Sequence, residues 1–191
     1  MINIEIKARC HDRERAEENL TALGAGPAGL FDQRDTYFNV EEGRLKLRLI
    51  GPDDGHLIFY RREDVAEPKR SDYEIAFTTD PEALGLMLRA VLGSWIEVEK
   101  RREVWLWENV RIHLDEVKDL GNFVELEAVT DEDGVQESHQ RVEAHIAAVD
   151  RVEEPHAVET GALNRTRVRR QRLASAAEGK SQTQSHDRIL P

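Results

Sequence analysis

The chain has 191 residues, of which 39% are hydrophobic and 34% charged, and a net charge of −11 at pH 7. That length suits one domain plus a tail, and the acidity argues against nucleic-acid binding by the molecule as a whole. A lone cysteine, Cys10, excludes an internal disulfide framework and a cysteine-based zinc site.

The first element is read from "INIEIKARC", where Ile2, Ile4 and Ile6 alternate with Asn3, Glu5 and Lys7. In an extended strand this makes one aliphatic face and one charged face. Asp12 then caps a helix carrying Ala16, Leu20 and Leu23 on one side. Tyr37 and Phe38 are read as packing residues. "RLKLRLI" sets Leu45, Leu47 and Leu49 against Arg44, Lys46 and Arg48. "HLIFYRRE" ends in Arg61 and Arg62, which cannot both face inward, and we assign Arg62 to the inside. "SDYEIAF" mixes Tyr73, Ile75 and Phe77 with polar neighbours. Turn signals at "EEGR" and "GPDDG" suit hairpin connections.

Asp80-Pro81 opens a second helix with Leu84, Leu88 and Val91 on its apolar side. "IEVEKRREVWLW" follows, with Lys100 and Arg102 in phase, and Trp95, Trp105 and Trp107 read as outer-wall packing. "NVRIHLDEV" opposes Val110, Ile112 and Leu114 to Arg111, His113 and Asp115. A lone strand histidine is most often structural, and His113 is read so. "NFVELEAV" places Glu125 and Glu127 together. From Asp131 to Asp150, Val135, His139, Val142, Ile146 and Val149 recur at helical spacing. Period-two alternation in the other segments predicts half-buried antiparallel strands. Residues 1–154 are therefore expected to form the folded domain. Residues 155–191, with the basic run "NRTRVRRQR" and few apolar positions, are expected to be a disordered tail that adds little to stability.

The distribution of charge goes beyond what a wet sheet face needs. Arg44, Lys46 and Arg48 share one face without a local acid, Lys100 and Arg102 do the same, and Glu125 and Glu127 share a face without a base. Same-sign rows repel unless opposite charge lies across from them. A closed sheet would set the basic and acidic rows around one cavity. Such rows suit phosphate oxygens, and carboxylates beside a polyphosphate make sense when a hard divalent cation lies between them.

"NIEIK", "DTYF", "GRLKLR", "KRSDY", "EKRREVWLW" and "NVRIHLDEVKDLGNFVELEAV", in this order, make residues 2–150 resemble the CYTH superfamily of triphosphate tunnel metalloenzymes, and most closely its class IV adenylate cyclases and their bacterial relatives. The resemblance implies an α+β fold, an antiparallel closed barrel of about eight strands with helices outside. It implies Mg²⁺ or Mn²⁺ as cofactor and a small-molecule triphosphate as substrate. Glu5, Asp115, Glu125 and Glu127 would be the metal ligands. Lys7, Arg48 and Arg111 would be catalytic, and Lys46, Arg62, Lys69, Lys100 and Arg102 would bind substrate. The family's first strand reads Glu-x-Glu-x-Lys, and here Asn3 stands at the first position, which removes one charge from the metal site. The family also closes its tunnel with a short final strand, which we do not find here, so a tunnel less complete at that edge is one expectation.

The leading expectation for function is conversion of ATP to cyclic AMP and pyrophosphate. The alternatives are hydrolysis of thiamine triphosphate, a nucleoside triphosphate or inorganic tripolyphosphate, and a non-catalytic polyphosphate- or nucleotide-binding module. No apolar run reaches membrane-spanning length and the N-terminus has no basic-then-apolar pattern, so a cytoplasmic protein without membrane or nucleic-acid partners is expected, with a homodimer left open.

Overall fold

The structure is a computed structural model, and it describes residues 1–149. The tail expected over 155–191 lies outside the described residues. Eight strands and three helices follow one another: β1 (Ile2–Arg9), α1 (Arg13–Ala22), β2 (Gly26–Phe38), β3 (Arg44–Gly51), β4 (Asp54–Arg62), β5 (Lys69–Thr78), α2 (Pro81–Leu92), β6 (Ser94–Trp107), β7 (Val110–Val117), β8 (Gly121–Thr130) and α3 (Val135–Val149).

The strands close into an antiparallel barrel in the order β1-β5-β4-β3-β2-β6-β7-β8. β2 to β5 form one meander and β6 to β8 another. The long strands β2 and β6 join them on one side, from Gly26 opposite Leu106 to Phe38 opposite Ser94. On the other side β1 pairs with both β5 and β8. All eight strands lie between Ile2 and Thr130, so the edge expected to be left open is closed by the N-terminal strand. The seam requires β8 to accept β1 along its whole length and β5 to accept its first half, Ile2 to Glu5, which no local pattern in β1 announces.

Two short connections carry the backbone that tight hairpins need. Glu108 has φ 50° in the two-residue turn between β6 and β7, and Asp119, in the turn after β7, and Gly121, at the start of β8, have φ 65° and 89°.

The aliphatic phase of β1 faces outward. Ile6 and Ala8, with Ile112 and Leu114 of β7 and Val124 and Leu126 of β8, form a core under α1 and α3. α1 supplies Ala16 and Leu20 to it, and α3 supplies Val142, Ile146 and Val149. Asp12 accepts from Arg15 N and Asp80 from Ala83 N, so both expected caps are made. α2 lies on β2, β3 and β4 and meets them through Pro81 and Gly85, which are buried. A Cβ at position 85 would stand 3.2 Å from Leu47 Cδ2, so this close approach suits glycine. Val91, expected on the buried side, is instead exposed together with Leu86 and Met87. The docked face is narrow: Pro81 and Gly85 are buried with Leu84, Leu88 and Leu92 half-buried beside them, and Leu86, Met87 and Val91 fall outside it with nothing over them among the described residues.

Trp105 is buried in the outer core and Trp107 packs against it, as expected. Trp95 does not follow. Its ring lies 5.4 Å from that of Tyr37, which shares the inward phase of Asp35 on β2. Trp95 falls at the irregularity between Tyr37 and Phe38 in the β2–β6 register, and that extra residue re-aims it.

Candidate functional site

Register places the charged rows inside. Glu5 lies opposite Glu127 and Lys7 opposite Glu125 on β8, while Arg111 and His113 of β7 lie opposite Glu127 and Glu125. Arg102 lies opposite Asp115. On the far wall Asp35 pairs with Arg48 and Tyr37 with Lys46. Lys69 faces Glu5 across the β1–β5 seam, and Arg62 lies beside it opposite Ser71. Every residue assigned to the site from sequence therefore has the inward phase. Arg62 forms an ion pair with Glu5, whereas Arg61 lies over the Phe59 ring.

The interior is a network of ion pairs built on two buried aspartates. Asp115 accepts two bonds from Arg102 at 2.7 Å, with Lys7 at 3.3 Å and Lys100 at 3.4 Å. Asp35 accepts two bonds from Arg48 at 2.8 Å and one from Lys46 at 3.2 Å. Burial alone would raise the pKa of both acids. Lys7, Arg102 and Lys100 hold Asp115, and Arg48 and Lys46 hold Asp35, well below the usual carboxylate range. Asp35 was not singled out from sequence. Its only trace there is the "DTYF" segment, and its role appears once register sets it against Arg48 and Lys46.

Asp115 stands apart from the other three carboxylates assigned to metal by resemblance, since both its oxygens are engaged by cations. Glu125 contacts Lys7 at 2.8 Å and Arg102 at 2.9 Å, and these cations hold its carboxyl low against the effect of burial. Glu127 differs. Burial and the Glu125 charge push it up to about 7, although Arg111 reaches it at 3.0 Å. Lys100 is pushed the opposite way from its usual value: burial, then Arg102 and Arg48, lower it well below the usual lysine range.

His113, read from sequence as structural, belongs to this acidic corner. One of its ring nitrogens and an oxygen from each of Glu125 and Glu127 lie within 4.8 Å of one another. Two carboxylates and an imidazole are a donor set that fits a divalent cation. Burial and Arg102 depress its pKa well below the usual histidine value, so the ring is neutral and keeps a lone pair.

The interior is not charged throughout. Tyr37, Ile58 and Tyr60 form a second apolar cluster, with Tyr73, Ile75, Trp95, Ile96 and Val98 packed on it. Ile58 pairs with Lys46 and Val98 with Asp35, so this cluster adjoins the basic wall.

A stability consequence follows for Glu127. A carboxyl whose folded pKa is raised from about 4.5 to about 7 costs stability as pH rises through that window, and the full cost is present above it. In protein stripped of divalent ions, Glu127→Gln should gain on the order of 2–3 kcal/mol at pH 8 and under about 1 kcal/mol at pH 5. Chemical denaturation at the two pH values checks this, and an equal effect at both would contradict the assignment.

A Methanocaldococcus jannaschii protein, provisionally named an adenylate cyclase, is 26% identical over 134 residues, covering 66% of this chain and 77% of its own. Among solved structures, a Pyrococcus horikoshii protein aligns with TM-score 0.67 at 24% identity, over 80% of this chain and 92% of its own. A Hippeastrum protein, described as an adenylyl cyclase by provisional name with a dominant triphosphatase activity, aligns with TM-score 0.58 at 18% identity, over 86% of this chain and 95% of its own. These likenesses match the eight-stranded barrel seen here. The CYTH domain model matches residues 1–152, and this chain, a closed barrel with a charged interior, belongs to the CYTH domain family, a family of metal-dependent enzymes.

Proposed function

We propose that this protein converts ATP to cyclic AMP and pyrophosphate inside the barrel. The observation that carries the reading is the excess of inward cations over carboxylates in a chain whose net charge is −11. Asp35 and Asp115 each bind several cations, which leaves positive charge for a polyanion to neutralise. Arg48 and Arg102 offer bidentate forks for phosphate oxygens, and Lys46, Lys100 and Lys7 compact charges between them. Arg62 and Lys69, beside Glu5, extend the basic surface along the seam. Arg111, partly exposed next to Glu127, is placed to meet a phosphate at the edge of the acidic corner.

Glu125, Glu127 and Glu5 would hold Mg²⁺ or Mn²⁺. A divalent ion in that position supplies charge neutralisation to phosphate oxygens. We read Asp115 as the counter-charge that orients Arg102, Lys7 and Lys100, because the two oxygens a metal would need are already engaged. The apolar cluster of Tyr37, Ile58 and Trp95 next to Lys46 favours a substrate with an organic group over inorganic tripolyphosphate. The name of the Methanocaldococcus jannaschii relative supports the cyclase reading. Triphosphate hydrolysis is the second reading, supported by the activity stated for the Hippeastrum protein.

The test is product identification with ATP, thiamine triphosphate and tripolyphosphate, each with Mg²⁺ and with Mn²⁺. Cyclic AMP and pyrophosphate from ATP are expected. Release of inorganic phosphate without cyclic AMP would establish hydrolysis instead, and binding without consumption of any of the three would leave a non-catalytic module.

A further inference from the structure

His113 presents a donor that the ion-pair network does not use. It is 4% exposed, and its Nδ1 has no hydrogen-bond partner among the described residues. That atom lies 3.9 Å from Glu127 Oε1, and the ring is directly across the sheet from Glu125. Burying an acceptor without a partner costs free energy that a fold normally avoids. A second orphan lies close by in register. Asn3 Oδ1 is also without a partner among the described residues, and Asn3 is 6% exposed. Asn3 has the inward phase of Glu5, one pleat along β1, which puts it diagonal to Glu127 across the β1–β8 pair.

We propose that His113 is a metal ligand, giving an imidazole nitrogen beside Glu125 and Glu127, and that this donor set selects a first-row transition ion over Mg²⁺. The inference rests on the metal-dependent reading above and specifies the ion that reading leaves open. Two donors on one ion, each at roughly 2.1 Å, are at most about 4.2 Å apart. The three donors lie within 4.8 Å of one another, so binding one ion would draw the outermost pair together by about 0.6 Å. Mg²⁺ demands hard oxygen ligands and retains its waters, whereas imidazole suits the transition ions. Asn3 acts in the same direction. A neutral carbonyl oxygen in place of a carboxylate lowers the negative charge that a hard ion relies on, and the nitrogen donor then counts for more.

Pulsed EPR of Mn²⁺ bound to the full chain tests the nitrogen directly. Nitrogen modulation from a bound imidazole is expected, and it should change when the protein is grown with ¹⁵N-histidine. This needs no variant, so misfolding cannot blur it. Calorimetric titration of Co²⁺ and of Mg²⁺ into wild type and His113→Ala gives the selectivity. Co²⁺ affinity should fall roughly tenfold or more and Mg²⁺ affinity by less than about threefold. Mn²⁺ bound without nitrogen coupling, or an unchanged Co²⁺-to-Mg²⁺ ratio in the variant, would overturn the proposal. A Glu127→Gln control separates the two readings. If it loses both ions while wild type shows no nitrogen coupling, the carboxylate site stands and His113 is not a ligand. If wild type binds neither ion, the metal-dependent reading fails together with this one.

Discussion

The double variant Glu125→Gln/Glu127→Gln is expected to lose metal-dependent turnover by on the order of 10³-fold or more while staying folded. The sequence suggests a simple cause for its stability, relief of repulsion between two carboxylates. The structure divides that effect in two. Glu125 is the partner of Lys7 and Arg102, so removing its charge leaves buried cations under-compensated. Glu127 is held above its ordinary range by burial and by Glu125, so removing its charge relieves a cost. The two changes act in opposite directions, and they are coupled because Glu125 is itself a cause of the Glu127 shift. The net change in stability of the ion-free protein should stay within about 2 kcal/mol, although each single variant moves it further. Turnover with Mn²⁺ and a denaturation curve on the same preparation check both halves. Normal activity in the double variant would remove Glu125 and Glu127 from the metal site.

Asp115→Asn should be the most destabilising of the single changes at this site. Asp115 is 1% exposed and faces Arg102, Lys7 and Lys100 together. Taking away its charge leaves three cations near one another in a buried space, and breaking a buried pair in this way costs about 3–5 kcal/mol. In a chain of this size that is a melting-temperature loss of roughly 6–20 °C. The pH dependence has a definite sign. The folded carboxyl is held far below its unfolded value, so its contribution is fully present above about pH 4 and is lost as the solution becomes more acid. Wild type and variant should therefore differ fully at pH 7, still differ strongly at pH 3, and converge only as the solution is acidified toward the depressed folded value. Tripolyphosphate should rescue the variant more than it stabilises wild type, because the added anion supplies the missing counter-charge. A loss under about 1 kcal/mol at pH 7 would show that Asp115 does not hold the cations in place.

Much of the wall could be read along the chain. The alternation in "INIEIKARC", "RLKLRLI" and "NFVELEAV" determined which side chains share a face, because the pleat has a period of two whatever the strand pairs with. Asp12 and Asp80 marked two helix starts, since a cap acts on backbone groups within three residues of itself. β2 was not legible as a strand. "GPAGLFDQRDTYF" opens with two glycines, a proline and an alanine, and its alternation is broken. It is a strand because β6 offers it a partner along nearly its whole length.

What tertiary structure alone decided is which charges meet. Asp35 became the anchor of Arg48 and Lys46 through the β2–β3 register, and Asp115 that of Arg102 through the β6–β7 register. Lys100 lies near enough to both, at 4.0 and 3.4 Å, to link the two walls. His113 looks like any strand histidine in sequence, and only the β7–β8 register carries Glu125 and Glu127 beside it. Closure by β1 completes the set by bringing Glu5 and Lys7 to Glu127 and Glu125. Alternation is a property of one strand, whereas charge pairing, burial and the resulting pKa shifts depend on distances between strands far apart in the chain. The sequence by itself therefore determined the charged faces, and the closed barrel decided that they share one interior.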